Sequence, residues 1–402
     1  MTRSTVTLFV SPRRPDNCFI HKTTANLKPM KIIADQDIYQ VEDYFSCLGE
    51  LVLLPGREIS QQDLVDADAL LVRTVTQVNK ELVGNTSVKF VGSASSGFDH
   101  IDKLILEEKG IHFEHAPGCN ANAVVDYFFA ALAWFNLNYQ VDWQKKTVGI
   151  IGAGNVGSRL AARLQKLGMD FSIYDPFLHS DHELAPSFAS LENVLQHDII
   201  TLHTPLTYTG DYPTHHLLNR KRLAGLKNDA LLINACRGEV VDNQALLEIL
   251  QETADLKVAL DVWELEPGIN PSLLDKVQIG TPHIAGYSTN GKLNGTRKIY
   301  DDFCRFFSIA NKGDQDSPTR LLMQGETGST NIETISLNIL NAYPIEKDFI
   351  ERGQSPQQLA ISFDLMRNSY RFRREFSDYA LAANTIPLAI LEKLKQVGIQ
   401  AS

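Results

Sequence analysis

The stretch "KKTVGIIGAGNVGSRLAARLQKLGMDFSIYDP", residues 145–176, decides the fold. Its apolar run 147–151 has the length and β-branched content of a buried strand, and it stops at Gly152. Gly152, Gly154 and Gly157 stand in G-x-G-x-x-G spacing, and Leu160, Ala161, Leu164 and Leu167 then recur with a helical period. A second short strand, 171–174, ends at Asp175. Strand, glycine turn, helix and strand form one unit with a chemical reading. One glycine permits the tight turn, the next lets backbone approach a pyrophosphate, and the third lets helix pack on strand. The helix start, with Asn155 and Val156 between the last two glycines, offers free N–H groups and a partial positive charge to phosphates. Asp175 lies eighteen residues after Gly157 (175 − 157), close to the offset of an acid that binds a ribose diol. Its plainer reading is a turn cap ahead of Pro176. A carboxylate there repels a 2′-phosphate, so the expected cofactor is NAD, held by Gly152, Gly154, Asn155, Val156, Gly157 and Asp175.

Working outward, the same alternation continues in both directions. "KIIAD", "LVLLPG", "ALLVRT" and "VKFVGSASSG" are apolar strand-like runs separated by helical stretches, and alternation resumes after residue 176 as far as about 286. This predicts an α/β protein with two doubly wound parallel-sheet domains. From Asn311 the composition turns polar and turn-rich ("NKGDQDSPTR", "QGETGSTN"), which marks a boundary before a small α+β C-terminal domain. The expected division is a substrate-binding domain at 30–124, a dinucleotide domain at 125–286 and a third domain at 306–402. Residues 1–29 carry five Lys/Arg against one acid and lack a signal-peptide apolar core. They are expected to be a disordered extension or a start assigned in error, with the domain beginning at Met30.

The chain has 402 residues, 44% of them hydrophobic, and a net charge of −10. That composition suits a globular protein and argues against a general nucleic-acid binder, which carries a basic face. No apolar run has the length of a membrane span, so no membrane partner is expected. The five cysteines are odd in number, widely spaced and without C-x-x-C pairs, so neither a disulfide framework nor a metal site is expected, and a reducing cytoplasm is the simplest compartment. Cys119 and Cys236 read as packing residues.

Three charged residues follow apolar strands in the second half: Arg237 in "LLINACRGEVVD", Glu266 in "VALDVWELEPG" and His283 in "GTPHIAGYS". Strand ends of a parallel sheet converge on one crevice, so the three can meet there. A neutral His283 can take a hydroxyl proton, Glu266 can orient the imidazole, and Arg237 offers a planar fork to a carboxylate. Each alone has a bland alternative, a surface ion pair or a turn acid. Together, after a dinucleotide unit, they point to oxidation of a 2-hydroxy acid. A second anionic group on the substrate would need a second cation, for which Arg73 is the candidate; a rim ion pair is its equal alternative.

Over about residues 30–300 the chain resembles the D-isomer-specific 2-hydroxyacid dehydrogenases, on "GFDHID", "VGIIGAGNVGSRLA", "HTPL", "LLINACRGEVVD", "ALDVWELEP" and "GTPHIAGYS". Within that family, "ALLVRTVTQVN", "FVGSASSGFDHID" and "APGCNANAVVDY" are similar to the members that oxidise 4-phospho-D-erythronate on the route to pyridoxine 5′-phosphate. The tail "FDLMRNSYRFRREFSDYAL" looks like their C-terminal dimerisation domain. The resemblance implies Arg237 and Glu266 in the active site and His283 as proton donor and acceptor. It implies NAD contacts at Asp175, Thr204, Asp261 and Gly286, and substrate contacts at Thr74, Ser95 and Tyr287. It further implies a lid to which the chain returns at about 287–305, and a homodimer. "RFRRE", 371–375, reads as a solvated or interface face, with a phosphate contact across a dimer as the alternative. Two other functions stay open at this point: a related dehydrogenase acting on 3-phosphoglycerate or an unphosphorylated acid, and an NAD-sensing binding protein on the same fold.

Overall fold

The computed structural model describes residues 30–178, 182–253, 255–311, 321–327, 330–370, 373–381 and 386–401. The expectation for residues 1–29 lies outside this set. The chain falls into two compact units, 30–116 with 295–311, and 117–294 with the described residues from 321 onward.

The first unit is built on five parallel strands: β1 (Lys31–Asp35), β2 (Glu50–Leu54), β3 (Ala69–Val72), β4 (Phe90–Ser93) and β5 (His112–His115), in the order β2-β1-β3-β4-β5. Strand β3 is buried at every position, as a strand covered on both faces requires. One face packs Ile33, Leu70, Val72 and Val91 with Leu64 and Leu82. The other packs Ile32, Leu71 and Phe90 against Phe45, Ile299 and Phe303, the last two from the returning helix Thr289–Phe306.

The second unit holds the glycine turn. Its six parallel strands are β6 (Val148–Ile151), β7 (Phe171–Tyr174), β8 (Ile199–Leu202), β9 (Leu231–Asn234), β10 (Lys257–Leu260) and β11 (Ile279–Gly280), in the order β11-β10-β9-β8-β6-β7. After β6 the chain goes outward to β7 and then returns to β8 on the opposite side. That reversal opens a crevice at the strand ends between β6 and β8.

The unit boundaries differ from those expected. The crossing falls at 116/117 rather than at 124, because helix Ala121–Tyr139 is buried along nearly its whole length in the core of the second unit. The C-terminal segment belongs to that unit too. Its helices Ile332–Ala342 and Leu388–Val397 share one core with helices Ala121–Tyr139 and Asn155–Leu167 through Ile335, Ile339, Leu391 and Leu394. Its own short sheet, β12 (Leu321–Met323), β13 (Tyr379–Leu381) and β14 (Gln400–Ala401), is parallel like the larger two. Among the described residues, no helix is long and apolar enough to cross a membrane.

Candidate active site

Strand register lines up the site in the second unit. Tyr174, Ile151, Leu202, Asn234, Leu260 and Gly280 form one row across the sheet, each paired with its neighbour. The candidates from Gly152 to Tyr287 lie one to seven residues beyond that row, so residues remote in sequence emerge at one edge.

The glycine turn has the shape that a dinucleotide needs. Gly152 has φ +91°, and a Cβ there would press on His203 and Thr204, across the β6/β8 crevice. A Cβ on Gly157 would collide with the Gly152 carbonyl oxygen, whereas Gly154 faces open space. Helix Asn155–Leu167 starts at Gly154 without a side-chain cap, so its first N–H groups are left to an anion. Thr204 Oγ1 is buried without a hydrogen bond to oxygen or nitrogen. Asp175 proves to be both brace and candidate ligand. Oδ2 accepts the Ala153 N–H at 2.9 Å and Oδ1 the Phe177 N–H at 3.1 Å, and both oxygens keep lone pairs for a diol.

His283 and Glu266 meet. The imidazole Nδ1 lies 2.7 Å from Glu266 Oε2, while Glu266 Oε1 accepts the Trp263 N–H at 2.9 Å. Burial pushes the Glu266 carboxyl up, but His283, Arg367 and the Trp263 N–H outweigh it and hold the group below its ordinary value. A carboxylate at Nδ1 makes the neutral ring donate there, which leaves Nε2 as the base. His283 sits at φ +56°, a strained conformation for a side chain with a Cβ. The loop around it is pinned. His283 N donates to Asp261 O at 2.7 Å, and the Asp261 carboxylate accepts from the Ile284 and Ala285 N–H groups and the Thr281 hydroxyl. Asp261 is 1% exposed, so the structure makes it the anchor of the histidine loop before any cofactor contact.

Arg237 leaves β9 through a turn shaped by buried Asn234, whose Nδ2 donates to Arg237 O at 2.9 Å. Arg237 Nη1 donates to the Cys236 carbonyl at 2.7 Å, which fixes the fork. A Cβ on the next residue, Gly238, would collide with the Trp263 backbone. The arginine loop therefore rests on the loop that orients Glu266. Gly286 is packed against Asn120, and the Tyr287 hydroxyl accepts from Arg367 Nε at 3.2 Å. Cys119 is no nucleophile: burial pushes its thiol up to about 12.

The remaining candidates lie in the first unit. Thr74 and Ser95 each stand two residues beyond the paired Val72 and Ser93, side by side at the strand ends. Arg73 corrects an expectation. Its Nε and Nη2 bind Asp35 at 2.8 and 3.2 Å, and Nη2 binds Asp37 at 2.7 Å. Two carboxylates against one guanidinium leave no positive charge for a phosphate, so the ion-pair reading holds. Arg373 corrects another. Within "RFRRE", Arg371 lies outside the described residues, but Arg373 is not solvated. It donates to the carbonyls of Ala123 and Ala285, both at 2.6 Å, and of Tyr287 at 3.2 Å. Sequence reasoning also missed Arg367, because no motif marks an arginine on a C-terminal helix as a neighbour of Tyr287 and Glu266.

Residues 126–285 match the D-isomer specific 2-hydroxyacid dehydrogenase, NAD binding domain. The chain is 43% identical over 361 residues to erythronate-4-phosphate dehydrogenase of Cellvibrio japonicus, covering 87% of this chain and 94% of that protein. With the enzyme of that name from Escherichia coli it shares 42% over 373 residues, 91% and 97% of the two chains. The chain belongs to the erythronate-4-phosphate dehydrogenase family. It is an NAD-dependent oxidoreductase acting on a CH–OH group. Among solved structures, NAD+-bound 3-phosphoglycerate dehydrogenase of Entamoeba histolytica shares the fold, with TM-score 0.60 at 23% identity over 70% of this chain and 96% of that one. So does D-lactate dehydrogenase of Aquifex aeolicus with NAD and lactic acid, with TM-score 0.58 at 24% identity over 69% and 96%.

Proposed function

We propose that the chain oxidises 4-phospho-D-erythronate at C2 to (R)-3-hydroxy-2-oxo-4-phosphooxybutanoate, on the route to pyridoxine 5′-phosphate, as a cytoplasmic homodimer. The pairing of His283 with Glu266 at 2.7 Å, on the sheet edge that bears the glycine turn, carries this reading. His283 Nε2 takes the C2 hydroxyl proton. Glu266, held ionised, accepts a hydrogen bond from the Nδ1–H and stabilises the imidazolium that forms. Arg237 binds the substrate carboxylate through its planar fork and polarises the developing carbonyl oxygen. NAD, held by the glycine turn, Asp175 and Thr204, supplies the hydride acceptor. Thr74, Ser95 and Tyr287 are substrate contacts, Gly286 and Asp261 are further NAD contacts, and residues 306–402 supply the dimer contact.

An assay panel tests this. Purified protein with NAD should reduce it far faster on 4-phospho-D-erythronate than on D-erythronate, 3-phosphoglycerate or D-lactate. Preference for another acid of the panel would replace the substrate. NADH binding without hydride transfer on any acid would point to a sensor.

A further inference from the structure

Resting on the reading that the substrate carries a phosphate, the site needs a second cation besides Arg237, and Arg73 is committed to two acids. The second unit presents another. Arg367 lies near the end of helix Pro356–Asn368, about one turn beyond Phe363 and two beyond Leu359, the residues that seat this helix on the core. Its Nε donates to the Tyr287 hydroxyl at 3.2 Å, and its Nη1 stands 3.9 Å from Glu266 Oε2, the oxygen bonded to His283. Guanidinium and imidazole thus share one carboxylate oxygen, which places the cation within the span of a four-carbon chain from the base. The contrast with Arg73 is one of charge. Arg73 meets two carboxylates at bonding distance, whereas Arg367 meets one, loosely, and that one is shared with the histidine. The Arg367 side chain keeps 24% exposure, so a ligand can reach it. Lys292 Nζ lies 4.2 Å over the Tyr287 ring and helps to hold that phenol in place.

We propose that Arg367 binds the phosphate of the substrate and sets the preference for a phosphorylated acid. A planar fork suits phosphate oxygens, and the Tyr287 hydroxyl, accepting from Nε, fixes where the fork points. The C-terminal segment then contributes to substrate choice.

The test compares Arg367→Ala and Arg367→Lys with the wild-type chain on 4-phospho-D-erythronate and on D-erythronate. NADH titration and a thermal melt confirm folding. Both variants lose some turnover on both acids, because Arg367 also faces Glu266. The expected signature is in the ratio. Loss of a charge-assisted bond cuts the kcat/KM preference for the phosphorylated acid by about 10–100-fold in Arg367→Ala, mainly through KM, and Arg367→Lys restores part of it. Inorganic phosphate should compete with substrate in the wild type and only weakly in Arg367→Ala. An unchanged preference in both variants would overturn the proposal. A wild-type chain without preference for the phosphorylated acid would instead overturn the substrate reading beneath it.

Discussion

Replacing Glu266 by glutamine keeps the shape of the site and removes its charge. In the native pair, Oε2 faces His283 Nδ1 at 2.7 Å while Oε1 accepts the Trp263 N–H at 2.9 Å. An amide cannot satisfy both. With its oxygen toward the imidazole, its NH₂ faces another donor, the Trp263 N–H. Turned over, it donates to Nδ1 and forces the proton onto Nε2, the nitrogen that has to act as base. Either way the imidazolium loses a carboxylate partner. At an effective dielectric near 20, unit charges 4 Å apart attract by about 4 kcal/mol, and partial exposure of both side chains trims this. A barrier rise of about 3–4 kcal/mol lowers kcat/KM by roughly 10²–10³. Initial rates of NADH formation read this directly, with NADH affinity by fluorescence as the control. The pH profile adds a second readout, since loss of the negative charge moves the basic group of the rate profile downward. A Glu266→Gln enzyme within about threefold of wild type, at an unshifted pH optimum, would refute the proton-transfer role of the pair.

Asp175→Ala removes the charge opposing a 2′-phosphate and frees the Ala153 N–H; the ratio of NAD to NADP efficiency should narrow at least tenfold, and an unchanged ratio would remove Asp175 from the diol site. Gly157→Ala drives a Cβ into the Gly152 carbonyl, backbone that cannot rotate away. Overpacking of about 1–3 kcal/mol lowers Tm by several degrees and weakens NADH binding; a melt within a degree of wild type would contradict that close approach. His100 is 6% exposed, near Ser93 Oγ at 3.0 Å, and burial lowers it to about 4. Between pH 6.5 and 4 the unfolded chain binds a proton there that the folded chain refuses, so stability falls on acidification by up to about 3 kcal/mol. Urea unfolding at pH 6.5 and 4.5 should show a smaller drop in His100→Gln, and equal drops would remove His100 from the acid response.

The sequence by itself determined the repeating strand–helix order, the glycine turn and the residue types of the site. These are local matters. Periodicity marks strands and helices, a tight βα turn demands glycine at fixed spacing, and a strand that ends in Arg, Glu or His announces polar chemistry beside an apolar core. Tertiary structure decided everything that depends on pairing between remote segments. The partner of Arg73 could be a phosphate or an acid until the end of β1 and the turn after it placed Asp35 and Asp37 beside it. Nothing local to Asp261 announces that its carboxylate closes the loop that carries His283. The stretch that holds Arg373 read as a solvated or interface face, yet this guanidinium lies among three carbonyls of its own chain. Arg367 gave no local signal at all, because a guanidinium's role is fixed by which charges lie within a few ångströms, and the packing of a C-terminal helix sets that, not its neighbours in the chain.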